Sequence, residues 1–131
     1  MSQRKWSSVD LGREFPTPVG AYSPVVRAGD LLYVSGQVPT DLATGKAVGE
    51  NVAEQTTYVL EKLNRTLQAA GADLSDVVSI NAYLEDMGRW DEFNAAYRAA
   101  FQPPYPTRTT VGAQLHGVLV EISAVAYVPK R

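Results

Sequence analysis

Between residues 51 and 71 the chain reads NVAEQTTYVLEKLNRTLQAAG, and its apolar positions recur every three or four residues. Val52, Thr56, Val59, Leu60, Leu63, Leu67 and Ala70 fall on one stripe, which predicts an amphipathic helix. Asn51 is placed to cap it, Glu54 at the third helical position makes a capping-box variant, and Gly71 can end it. A second helical pattern, RWDEFNAAYRAAF over 89–101, puts Trp90, Phe93, Tyr97 and Phe101 on a common stripe and Asn94 on the polar side. Prolines at 103, 104 and 106 then stop any helix.

Elsewhere the period is two. VVSINAYLED (77–86) alternates, with Val78, Ile80, Ala82 and Leu84 on one face of a half-buried strand. Threonines 107, 109 and 110 with Val111 favour an extended backbone. VLVEISAVAYV (118–128) places Val120, Ile122, Ala124, Ala126 and Val128 on one face, and Leu119, Glu121, Ser123, Val125 and Tyr127 on the other. Near the start, VVRAGDLLYVSGQ (25–37) reads as a hairpin around Ala28-Gly29-Asp30, and VPTDLATGKAVG turns at Thr44-Gly45 before the first helix.

The resulting order, β-β-(short β)-α-β-α-β-β, is an α+β arrangement. Two helices can cover only one face of such a sheet. Leu119, Val125 and Tyr127 would then be exposed in a monomer, so an oligomer is expected. A hairpin at Leu115-His116-Gly117 would make the strands of Arg108 and Glu121 neighbours. One domain over 1–131 is expected, with 1–16 as a less regular arm.

Composition narrows the chemistry. The chain has 131 residues, 45% of them hydrophobic and 20% charged, which suits a globular core. A formal charge of −2 with scattered basic residues leaves no electrostatic footprint for nucleic acid. There is no cysteine, which removes disulfides, thiolate catalysis and zinc–thiolate sites. The polar start lacks the apolar core of a signal peptide, and no apolar run is long enough to span a bilayer. A soluble, cytoplasmic protein is expected.

His116 is the only histidine and sits in a stretch that reads as a turn, so no catalytic triad or histidine-rich metal site can be assembled. The glycines form no GxGxxG or P-loop pattern. Asp73 and Asp76 read as capping groups. Two residues stand out because charge is costly inside strands. Glu121 either points to solvent or is a buried carboxylate that handles water. Arg108 is either a surface charge or a two-pronged donor facing an anion. Tyr22 packs or walls a pocket, Ser35-Gly36 ends a strand or lets a group approach the backbone, and Asn94 is solvated or functional.

Taken in order, VGAYSP, LLYVSGQVP, TGKAVG, AEQTTYVLEKLNRTLQAAGADLSDVV, AYLEDMGRWDEFNAAYRAAF, PPYPTRTTV and VEISAVA resemble the Rid (YjgF) family of enamine/imine deaminases, from about Pro18 to Val128. That resemblance implies a chorismate-mutase-like fold, a mixed β-sheet backed by two helices and trimerised around a central β-barrel, with sites in the clefts between subunits. It implies hydrolysis of 2-enamine and 2-imino acids, of the 2-aminoacrylate and 2-iminobutanoate type, to 2-keto acids and ammonia, without cofactor or metal. By the same resemblance Arg108 holds the substrate carboxylate, Glu121 positions the attacking water, the pocket tyrosine Tyr22 joins them in the catalytic set, and Ser35, Gly36 and Asn94 bind substrate. Thr110 stands where many members carry cysteine, and joins the substrate-binding set. Rival readings are a same-fold enzyme on another small acid, such as 2-aminomuconate or a chorismate-derived compound, and a non-catalytic ligand-binding trimer.

Overall fold

The computed structural model describes residues 3–130. Its six strands are β1 (Ser7–Ser8), β2 (Val25–Ala28), β3 (Leu31–Gln37), β4 (Val77–Leu84), β5 (Thr107–Gly112) and β6 (Val120–Tyr127). The two α-helices are α1 (Val52–Ala69) and α2 (Trp90–Ala100). The strands form one mixed sheet in the order β1-β2-β3-β6-β4-β5, with every neighbouring pair antiparallel except β4–β5.

One face of this sheet carries Val25, Leu32, Val34, Ile80, Ala82, Leu84, Val120, Ile122, Ala124 and Ala126, all buried. Against it pack the apolar stripes of both helices, Val59, Leu60, Leu63 and Leu67 from α1 and Phe93 and Tyr97 from α2. Each such side chain contributes roughly 1.5–3 kcal/mol when removed from water. The helix ends follow their sequence signals closely. Asn51 Oδ1 accepts from Glu54 N at 2.8 Å, although Glu54 reaches back to the N–H of Glu50 rather than of Asn51. Gly71, at φ +88°, closes α1 in a Schellman arrangement, with Gly71 N donating to Gln68 O and Ala72 N to Leu67 O. Asp73 and Asp76 form a reciprocal capping box on the short turn before β4.

Four expectations need correction. Val78 is exposed, and Val77 takes its place on the buried face, because the β4–β6 register shifts between Val77 and Ser79. The strands of Arg108 and Glu121 are not neighbours, since β4 lies between them. Burying the stripe of α2 carries the chain across the sheet face, so β5 returns parallel to β4 as a crossover requires. The stretch around His116 is therefore no hairpin. It spans the end of β4, tied down by Glu85, whose carboxylate accepts from Leu115 N, and by Ala113 N donating to Leu84 O. The N-terminal arm is also less irregular than expected, because Ser7 and Ser8 pair with Arg27 and Val26 as an edge strand.

Among the described residues no helix lies on the second face of the sheet. Tyr33, between Val26 and Val125, is 47% exposed there, and Tyr127 is 51% exposed. No described helix is long and apolar enough to cross a membrane.

Candidate active site

Strand alternation decides where the two charged candidates point. Arg108 pairs in register with the fully buried Ile80, so it projects to the helix side between the exposed Thr107 and Thr109. There its guanidinium carbon lies 4.6 Å from the ring centroid of Tyr97, 5.4 Å from Phe93 and 5.6 Å from Trp90. Cation–π attraction of about 0.5–2 kcal/mol per contact fixes the fork without consuming its N–H donors. Among the described residues Arg108 has no carboxylate partner; the single ion pair is Arg89–Glu92 at 3.8 Å. A cleft of about 310 Å³ opens beside it, lined by Asn94, Tyr97, Arg98, Tyr105, Pro106 and Arg108.

Tyr97, whose ring lies against this guanidinium, has its Oη buried without any hydrogen-bond partner, as does Thr110 its Oγ1. Thr110 follows Arg108 by two residues and shares its face of β5. Burial pushes the Tyr97 phenol up to about 12, an effect the Arg108 charge partly opposes. Tyr97 is therefore a neutral donor at physiological pH. Buried polar groups left unpaired are costly, and Tyr97 carries such a group at the wall of the Arg108 cleft.

Glu121 goes the other way. It lies between Val120 and Ile122, both fully buried on the helix side, so its side chain emerges on the uncovered face. Its carboxylate rests on Gly36 of β3, so closely that a β-carbon at position 36 would overlap Oε2. The β3–β6 register shifts between Val34 and Gln37, which turns Gly36 toward Glu121. Ser35 anchors the approach of Tyr22: its Oγ donates to Ser23 O at 2.6 Å and its N–H to Pro24 O at 2.9 Å. Tyr22, Ser35 and Gly36 then line a second cavity of about 340 Å³ with Leu11, Phe15 and Lys62.

The seven residues singled out in the sequence are thus not gathered in one place within the chain. Arg108 and Thr110 project to the helix side of β5, with Asn94 of α2 lining the Arg108 cleft; Glu121 emerges on the uncovered face against Gly36, and Gly36 shares with Tyr22 and Ser35 the cavity beside the end of β3. Sequence reasoning missed the aromatic bed of Arg108, because Trp90, Phe93 and Tyr97 at helical spacing read as core. It also missed Lys62, which is 7% exposed and donates from Nζ to Val38 O, Thr40 O and Thr40 Oγ1 at 3.0, 2.8 and 3.0 Å. Burial lowers the Lys62 pKa, Arg65 lowers it further, and Asp41 offsets part of this. Among the described residues no group of three or more His, Asp or Glu gathers to hold a metal.

Residues 12–128 match the family model described as endoribonuclease L-PSP. A RutC family protein of Saccharolobus solfataricus is 43% identical over 113 residues, covering 85% of this chain and 90% of that relative. A 2-iminobutanoate/2-iminopropanoate deaminase of Mus musculus is 36% identical, covering 85% and 84%. Among solved structures, RidA from an Antarctic Psychrobacter superposes with a TM-score of 0.81 at 32% identity, covering 88% of this chain and 94% of that one.

Proposed function

The chain belongs to the endoribonuclease L-PSP (Rid) family, and from that premise we propose that it hydrolyses 2-imino acids to 2-keto acids and ammonia. The observation that carries this reading is Arg108: a half-buried guanidinium, held by three aromatic rings, and unpaired with any described carboxylate. Such a fork suits a carboxylate through two parallel charge-assisted hydrogen bonds.

In this mechanism Arg108 fixes the carboxylate, with Thr110 and Asn94 beside it. Water held by Glu121 adds to the imine carbon, and its proton passes through the carboxylate to nitrogen. Collapse of the resulting carbinolamine re-forms a carbonyl and expels ammonia, so R–C(=NH)–COO⁻ and water become R–C(=O)–COO⁻ and NH₃. The substrate is already electrophilic, and positioning plus proton transfer are what the protein must add. Tyr22, Ser35 and Gly36 wall the water side.

Arg108 and Glu121 project to opposite faces of one sheet, so no single chain closes the site. We therefore place the site between subunits of a homotrimer, as the family resemblance implies. The uncovered face bearing Tyr33, Tyr127 and Glu121 meets the Arg108 edge of the next chain. The net charge of −2 gives no support to RNA as substrate.

The test is a coupled assay. Threonine dehydratase generates 2-iminobutanoate in situ, and the protein accelerates the appearance of 2-oxobutanoate. Arg108→Ala, folded by circular dichroism, loses about 30-fold to several thousand-fold in kcat/KM, the equivalent of roughly 2–5 kcal/mol for a buried charged partner. No acceleration by the unsubstituted protein overturns the reading.

A further inference from the structure

The Arg108 cleft contains a second arginine for which imine hydrolysis alone gives no reason. Arg98 lines the same cavity of about 310 Å³, one helical turn beyond Asn94 on α2 and adjacent to Tyr97. Among the described residues neither guanidinium has a carboxylate within ion-pair distance. The acidic residues of α2, Asp91 and Glu92, sit at its opposite end, and Glu92 is already engaged by Arg89 and by the N–H of Ala53. The carboxyl-terminal end of the α2 dipole offsets only part of the charge on Arg98. Arg98 is exposed and screened by water, and an anion bound in the cleft would interact favourably with both guanidinium groups. The hydroxyl of Tyr97, a residue only 4% exposed, is orphaned in the same place.

We propose that this cleft selects a dianion, and that the substrate class is a short 2-imino dicarboxylate. This rests on the deaminase reading for its chemistry and adds a specificity residue to it. Arg108 takes the carboxylate next to the imine, and Arg98 takes the distal one, with Tyr105 and Pro106 walling the carbon chain between them. A monocarboxylate leaves Arg98 unpaired; a dicarboxylate satisfies both forks.

Stable keto acids test this without relying on turnover. The intact protein is titrated by calorimetry with 2-oxoglutarate and with 2-oxobutanoate. The diacid binds about tenfold tighter or more, and the preference weakens as salt is raised. In Arg98→Gln the ratio of the two affinities collapses to within about threefold, while Arg98→Lys keeps part of it. Equal binding of the two acids by the unsubstituted protein overturns the proposal, as does a preference that survives Arg98→Gln. A diacid preference that depends on Arg98 in a protein with no imine hydrolysis supports the dianion cleft and overturns the deaminase reading instead.

Discussion

The carboxylate of Glu121 lies across the backbone of Gly36, in the space a β-carbon would occupy. Position 36 has no positive φ to demand glycine, so the constraint is the neighbour and not the backbone. The overlapping group is the far end of a flexible side chain, which can swing away. Gly36→Ala is therefore expected to leave stability within about 1 kcal/mol of wild type while it displaces the carboxylate. A misplacement near 1 Å lowers kcat by about 100-fold. Because both changes act through one carboxylate, Gly36→Ala added to Glu121→Ala costs nothing more. Thermal unfolding and the coupled imine assay on the three variants check this; an additive double variant removes the link.

Tyr97 separates stability from function. Its buried hydroxyl lacks a partner, so Tyr97→Phe keeps the ring under Arg108 and removes an unsatisfied group. The variant is expected to gain about 1 kcal/mol in stability and to bind keto acid about tenfold more weakly. The pH dependence follows from a phenol raised from 10.0 to about 12 by burial. Between those values the folded chain keeps a proton that the unfolded chain releases, so stability falls as pH rises. Urea unfolding at about pH 9 and pH 11 should show a steeper alkaline loss for the wild type than for Tyr97→Phe. Parallel losses remove the assignment of a raised phenol pKa.

Lys62 holds the segment that follows β3. All three of its donors are used on Val38 and Thr40, and removing them leaves two carbonyls without that partner. Lys62→Met fills similar space without the charge, and is expected to cost roughly 1–3 kcal/mol. Hydrogen exchange should locate the loss at the Thr40, Asp41 and Val48 amides, whose bonds close the 38–48 turn. Unchanged protection there would assign Lys62 no role in holding it.

Features of this fold are legible in the sequence where their cause is local. Asn51, Glu54 and Gly71 bound α1 through contacts within a few residues, and the period of the stripe named its buried face. The β4–α2–β5 crossover was not legible, because strand order depends on where α2 docks, which no local pattern encodes. The slip that exchanges Val78 for Val77 is one residue long, and either valine satisfies an alternating pattern. At the site, Arg108 and Glu121 were visible as charges in apolar strands, yet their opposite directions needed the register against Ile80 and Gly36. Tyr97 carried no signal of its own, because the apolar stripe of α2 already accounts for it, and no pattern marked Arg98.

The division of Arg108 and Glu121 between two faces of the sheet makes a prediction that a single-chain site cannot imitate. Arg108→Ala and Glu121→Ala each remove one half of the proposed chemistry, and each variant alone should be close to inactive. In a homotrimer whose sites lie between subunits, every site draws Arg108 from one chain and Glu121 from its neighbour. Mixing the two variants, unfolding them together and refolding them allows chains to assort at random. A site is then intact when an Arg108-bearing chain meets a Glu121-bearing chain in the right order, which occurs in roughly a quarter of interfaces for equal amounts of a closed ring. Imine hydrolysis should recover to about that fraction of wild type, while each variant refolded alone stays inactive. Sedimentation equilibrium of the unsubstituted protein should give the trimer mass. A stable monomer at micromolar concentration, or a refolded mixture with no recovered activity, would place both residues in a site this arrangement does not describe.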